Sequence, residues 1–103
     1  MEYYFHPEAL EDYQAAADWY RARSKSLALR FVGAIEDAIL KITESPERWR
    51  VVDDDVRRCL TSVFPYGVLF TLESEFVLIV AVMHLSREPG YWKHRLNQEL
   101  SER

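Results

Sequence analysis

The spacing of apolar positions changes character twice along the chain. Residues 2–5, Glu-Tyr-Tyr-Phe, form a short aromatic run that stops at His6-Pro7 and reads as an opening strand. Apolar or aromatic residues then recur at Leu10, Tyr13, Ala17 and Tyr20, the spacing of one face of a helix, which predicts an amphipathic helix from Pro7 to about Arg23. Pro7 suits the first helical position, where no N–H is needed, and Glu8, Glu11 and Asp12 sit near the positive end of the helix dipole. Ser24-Lys25-Ser26 makes a short turn with a serine able to cap the next helix. Leu27, Phe31, Ile35, Ala38 and Ile42 then form one stripe, widened by Val32 and Ile39, until Ser45-Pro46 stops the helix. Two amphipathic helices on so short a link predict an antiparallel helical hairpin.

Beyond Pro46 the helical period disappears. Residues 46–55, with Trp49 and the trio Asp53-Asp54-Asp55, show neither period and read as a loop. Val56–Phe64 alternates, placing Leu60 and Phe64 on one face and Cys59 and Val63 on the other. Pro65-Tyr66-Gly67 turns the chain. Val68–Leu72 forms the next strand, and Ser74-Glu75 a short hairpin connection. Phe76–Met83 is apolar at every position, as in a strand with both faces covered. At least one of those faces falls to the helical hairpin, which has no other surface on which to bury its stripe. The expectation is an α+β fold: an N-terminal strand, a helical hairpin and a three-stranded antiparallel meander forming one small sheet, a single domain over residues 1–103.

Composition narrows the function more than the fold. The eight-residue run at 76–83 is far short of the roughly 20 residues a membrane helix needs, and the N-terminus lacks a basic start and an apolar signal core. A single cysteine, Cys59, rules out an internal disulfide and a cysteine-based zinc site, and in a strand it reads as a small buried hydrophobe. We expect a reduced, cytoplasmic protein with no cofactor and no metal. The net charge of −4 argues against a general nucleic-acid binder. Its distribution is uneven: residues 1–47 carry nine acids and five bases, residues 48–103 eight of each. The bases of the second part bunch at Arg48/Arg50, Arg57/Arg58 and Arg87/Lys93/Arg95, so a positive patch on an acidic body competes with an ordinary solvated surface.

The candidate chemistry gathers around His84, directly after the most apolar strand, with Arg87 and Tyr91 close behind it. A metal-free RNA cleavage site needs a base for the 2′-hydroxyl, a cation for the phosphorane and an acid for the leaving oxygen. Histidine, arginine and tyrosine supply those parts, with Arg58 as a further cation. Adjacent strand residues point to opposite faces, so at most one of Arg57 and Arg58 can join such a cleft. The competing reading is structural: His84 locks the tail through a backbone hydrogen bond, and Tyr91 and Trp92 pack as a lid. Trp19 lies off the helical stripe, where an exposed indole marks a partner surface.

Several segments resemble the RelE/ParE superfamily of bacterial toxins from type II toxin–antitoxin systems, in its ParE-like, plasmid-stabilisation branch. They are Phe5-His6-Pro7-Glu8-Ala9-Leu10, Trp19-Tyr20, Arg30-Phe31, Ser45-Pro46-Glu47-Arg48-Trp49, Val56-Arg57-Arg58, Phe64-Pro65-Tyr66-Gly67-Val68 and Ala81–Trp92. The Phe-Pro-Tyr turn and the His-x-x-Arg-x-Pro-Gly-Tyr-Trp tail are the most specific. The resemblance implies a helical hairpin packed on a small sheet and a growth-inhibiting toxin that binds DNA gyrase. It also implies a cognate antitoxin whose tail occupies a groove or sheet edge, and contact with operator DNA only through that antitoxin. On this view Trp19, Arg57 and Trp92 contact the target or the antitoxin. The alternative within the superfamily is a ribosome-dependent messenger-RNA endonuclease using His84, Arg87, Arg58 and Tyr91. A further alternative is a degenerate toxin that keeps only antitoxin binding.

Overall fold

A computed structural model describes residues 1–96; the polar end of the chain expected beyond that point, residues 97–103, lies outside the described residues. The chain runs β1 (Glu2–Phe5), α1 (Pro7–Arg21), α2 (Lys25–Glu44), a 3-10 turn (Pro46–Arg48), β2 (Arg50–Asp53), β3 (Val56–Leu60), β4 (Tyr66–Leu72) and β5 (Phe76–His84). The strands form one sheet in the order β1-β5-β4-β3-β2, with β1 parallel to β5 and the other pairs antiparallel. The α+β class and the strand–hairpin–meander order are as the sequence predicts. The sheet has five strands, because the segment read as a loop contains β2.

Local chemistry sets the helix boundaries. The ring of His6, itself buried, accepts a hydrogen bond at Nδ1 from the Glu8 amide (3.0 Å) and caps α1, with Pro7 following. Ser24 caps α2 through Oγ to the Leu27 amide (3.2 Å), satisfying an otherwise unpaired donor. The α2 stripe is buried as expected at Phe31, Ile35, Ala38, Ile39 and Ile42. On α1 the buried face is rotated: Ala9 is fully covered while Leu10 is 41% exposed. The close approach of α1 to its neighbours is made by small residues, Ala9, Ala16 and Ala17.

The helices cover one face of the sheet. Between them and the strands, Tyr20, Phe31, Phe64 and Tyr66 form an aromatic cluster, with Phe31 and Tyr66 ring centroids 4.9 Å apart. Cys59 lies in this layer, where burial pushes its thiol pKa up. β3 ends at Leu60, earlier than the alternation to Phe64 suggested. The chain then turns, so Phe64 joins the aromatic core while Leu60 remains on the opposite face, 54% exposed.

The second face is covered differently. Val56, Leu69, Leu78, Val80, Ala81 and Met83 gather beneath the indole of Trp92. Opposite Leu69–Phe70 of β4, Ala81 and Ile79 of β5 are paired and Val80 is extra, a bulge that turns Val80 and Ala81 to the same side. The continuous apolar run of β5 is therefore buried on both sides, one by helices and one by the segment that succeeds the sheet.

Candidate functional site

β1 has four residues and its register ends at Phe5 opposite Ile79, whereas β5 continues to His84. The last turns of β5 therefore have α1, not a strand, along that edge. Between them opens a groove of about 730 Å³. Its floor is Tyr66, Val82 and His84. One wall is the Ala15–Ala16 and Trp19–Tyr20 surface of α1, and the other is Ser86 and Arg87. Small alanines on the helix leave the space, and Trp19, 53% exposed, stands at its rim with the Arg23 guanidinium 3.4 Å from the ring centroid. The acidic end of the groove is Glu11 and Asp12.

Asp12 fixes this end of the molecule. Its Oδ2 accepts from the Val82 amide (3.1 Å), the Tyr91 hydroxyl (3.1 Å) and Arg95 Nη1 (2.7 Å), and Oδ1 accepts from Arg95 Nη2 (3.2 Å). Arg95 Nη1 also donates to the Val80 carbonyl (2.9 Å), so one guanidinium and one carboxylate occupy backbone groups on either side of the bulge. The side chains of Asp12 and Arg95 are 11% and 5% exposed, which makes this a buried, doubly hydrogen-bonded ion pair. Burial, then the Asp12 charge, raise the Tyr91 pKa above its usual value. Despite desolvation, the hydrogen bond and charge of Asp12 raise that of Arg95.

The sequence-derived candidates divide between several places. His84, Arg87 and Trp19 meet in the groove. His84 Nδ1 accepts from the Ser86 amide (3.1 Å) and lies 2.8 Å from Ser86 Oγ, which puts the proton of the neutral ring on Nε2. Arg87 stacks on Tyr91 at 3.9 Å from the centroid, and the Tyr91 hydroxyl is committed to Asp12. Arg58 is elsewhere. It pairs with Leu69, a residue of the second face, while Tyr66, the register partner of His84, belongs to the helix-side core. His84 and Arg58 thus stand on opposite sides of the sheet. Arg57 faces the helix side and donates through Nη1 to the carbonyls of Glu47 (3.1 Å) and Trp49 (2.8 Å), bracing the 3-10 turn. Trp92 is only 4% exposed and packs as the lid of the second face, away from the groove.

Sequence reasoning missed Asp12, Tyr20 and Tyr66 as groove residues. Asp12 was legible only as a helix-start acid, although it falls between Ala9 and Ala16 in the row that ends at Tyr20. A lone carboxylate in an otherwise buried helical row is the signal that could have found it. Among the described residues no group of three His, Cys, Asp or Glu side chains could hold a metal ion.

A family model described as the ParE toxin of the type II toxin–antitoxin system, parDE, matches residues 3–89. The chain belongs to the ParE toxin family. A solved structure described as the chromosomal ParDE TA system from P. aeruginosa matches with a TM-score of 0.73 at 17% identity, covering 82% of this chain and 96% of that one. At that identity the likeness establishes the ParE-like fold. A search of curated proteins finds no match. No helix among the described residues is long and apolar enough to cross a membrane.

Proposed function

We propose that this ParE-family chain is a cytoplasmic, growth-inhibiting toxin that acts by binding a protein, DNA gyrase, and that a cognate antitoxin silences it by seating a segment in the groove beside α1. The observation that carries the binding mode is the groove itself: an open apolar trough walled by alanines and aromatic rings, with Trp19 exposed at its rim. A helical or extended segment with an apolar anchor fits such a trough, and Arg87 opposite Glu11 lets it be read by charge of both signs. Contact with operator DNA runs through the antitoxin, in keeping with a net charge of −4.

The endonuclease reading draws support from His84 and Arg87 sharing that groove. Against it stand Arg58 on the other face of the sheet and a Tyr91 whose hydroxyl is bound to a carboxylate and whose pKa is raised, the wrong direction for a base.

Induced expression without antitoxin tests both. The binding reading expects growth arrest, inhibited DNA supercoiling by gyrase in vitro and uncut messenger RNA. In addition, Trp19→Ala weakens antitoxin binding by about tenfold or more, as for an exposed aromatic anchor. Transcripts cut on ribosomes, with toxicity lost in His84→Ala while antitoxin binding survives, would establish the nuclease instead. Normal growth would leave only a degenerate toxin.

A further inference from the structure

The open half of the second sheet face holds two cations directly opposite one another. Arg50 of β2 and Arg58 of β3 are register partners, so their side chains share a face, and the pairing of Arg58 with Leu69 identifies it as the face away from the helices. Like charges directly opposite across an antiparallel pair destabilise it. Among the described residues no carboxylate lies within ion-pair distance of either guanidinium; Asp53, the acid of β2, is spent on Lys93 (2.9 Å). The Arg58 stem lies across Gly67, where a Cβ would stand 3.2 Å from its Cγ and Cδ. Leu60, 54% exposed, comes next on the same face. β2 is the last strand of the sheet, and its outward edge carries the exposed Val51 and Val52.

We propose that this strip is where the toxin grips its protein target, through an extended segment of that target that adds to the β2 edge and places carboxylates beside Arg50 and Arg58. The assignment to the target rests on the toxin reading. The chemistry rests on the strip alone. A carboxylate between two guanidiniums converts a repulsive pair into charge-assisted hydrogen bonds. A strand added to β2 alternates its side chains, setting acids on the arginine face and apolar residues beside Val51. Exposed Leu60, Val51 and Val52 favour a polypeptide over a polyphosphate, as does an acidic body that repels nucleic acid. The strip and the groove lie on opposite faces, so target and antitoxin use separable surfaces.

The test uses the full chain and a fluorescein-labelled octapeptide alternating Glu and Val, with a Lys-Val octapeptide and an oligothymidylate as the other probes. The wild type binds the Glu-Val peptide, more weakly as salt rises, and neither alternative probe. Arg50→Gln and Arg58→Gln each weaken that binding by about tenfold, the scale of a lost charge-assisted contact. Their melting temperatures stay level or rise, because the repulsion is relieved; a merely structural arginine would lower them. In cells the double variant loses growth arrest and is still captured by antitoxin. Unchanged peptide affinity in both variants, tighter binding of oligothymidylate, or loss of antitoxin capture with toxicity intact would each overturn the proposal. A wild type that binds the peptide through both arginines without arresting growth would overturn the toxin reading and leave the acidic-segment site standing.

Discussion

The two faces of the sheet are closed by different physics. On the helix side, two helices spread an aromatic and aliphatic layer over the strands, with many partners for each buried side chain. On the other side one indole, Trp92, covers the apolar cluster. The largely buried carboxylate that holds the segment carrying it is Asp12, with Arg95 and Tyr91 as donors, while Glu8 with His94 and Asp53 with Lys93 pair at the exposed margin. Non-directional burial distributes its stabilisation over many contacts, whereas a buried polar hub concentrates it in one. The first face is a foundation. The second is a fastening, and the part of it left open carries Arg50 and Arg58, which have no ion pair among the described residues.

Two substitutions break that comparison most sharply. Phe31→Ala empties the centre of the aromatic layer, where Phe31 is fully buried, and should cost about 3–5 kcal/mol of global stability in a denaturant titration. Asp12→Asn keeps the shape but removes the nearer of the two carboxylate charges facing buried Arg95, with an expected cost of about 3 kcal/mol. The signatures differ. The phenylalanine change weakens everything together, while the aspartate change loosens the second face first, exposing Trp92 to solvent and speeding exchange of the Val82 amide while helical circular dichroism persists. An Asp12→Asn protein with an unaltered Trp92 environment would show that the indole needs no such fastening.

Legibility in the sequence divides along the same line. The α2 stripe and the all-apolar β5 signal their burial by periodicity, because each packs against an extended layer. β2 carries no such signal: two valines between Arg50 and Asp53 become a strand only because β3 offers them a partner, in an irregular register. On α1 the size of Leu10 suggested the wrong face, since close helix packing selected Ala9 instead. His84, Arg87 and Trp19, which line the groove, could be singled out as candidates, because strand ends and off-stripe aromatics are visible in one dimension. The face taken by Arg58 could not be. It depends on Cys59 entering the helix-side core, a fact of register, and the same parity sends Arg57 to the loop and Arg58 away from His84.

A smaller effect, in alkali, sharpens the contrast by placing one reporter on each face. On the helix side Tyr13 donates to Glu36 (2.7 Å), and burial followed by that hydrogen bond raises its pKa; on the other side burial and then Asp12 raise that of Tyr91. An unfolded tyrosine ionises near pH 10. Since the folded values are higher, the native state holds protons that the unfolded state releases. This stabilisation is complete below about pH 10 and is lost as pH rises toward the folded values. The melting temperature should therefore fall above about pH 10, and less steeply in Tyr13→Phe and Tyr91→Phe. Burial shifts Tyr20 and Tyr66 the same way, so part of the slope remains. A curve that both variants leave unchanged would remove these two phenols from the alkaline transition.

The smallest effect belongs to the rim where the two faces meet. Val63, in the turn between β3 and β4, has φ of 74°, a left-handed conformation that a β-branched side chain resists, and it is 84% exposed. The turn is imposed by its neighbours: Thr61 Oγ1 donates to the Phe64 carbonyl (2.9 Å) while Phe64 packs into the aromatic layer. Such strain costs about 1–3 kcal/mol, and glycine removes it at an entropic cost of about 0.5–1 kcal/mol. No buried contact is lost with so exposed a side chain. Val63→Gly should therefore stabilise the protein by about 1 kcal/mol, raising the melting temperature by about 4–8 °C. Val63→Thr, equally branched, should give no gain. Because the strain is confined to the turn, the glycine variant should leave both the Trp92 environment and the alkaline slope unchanged; a shift in either would mean that the turn couples the two faces.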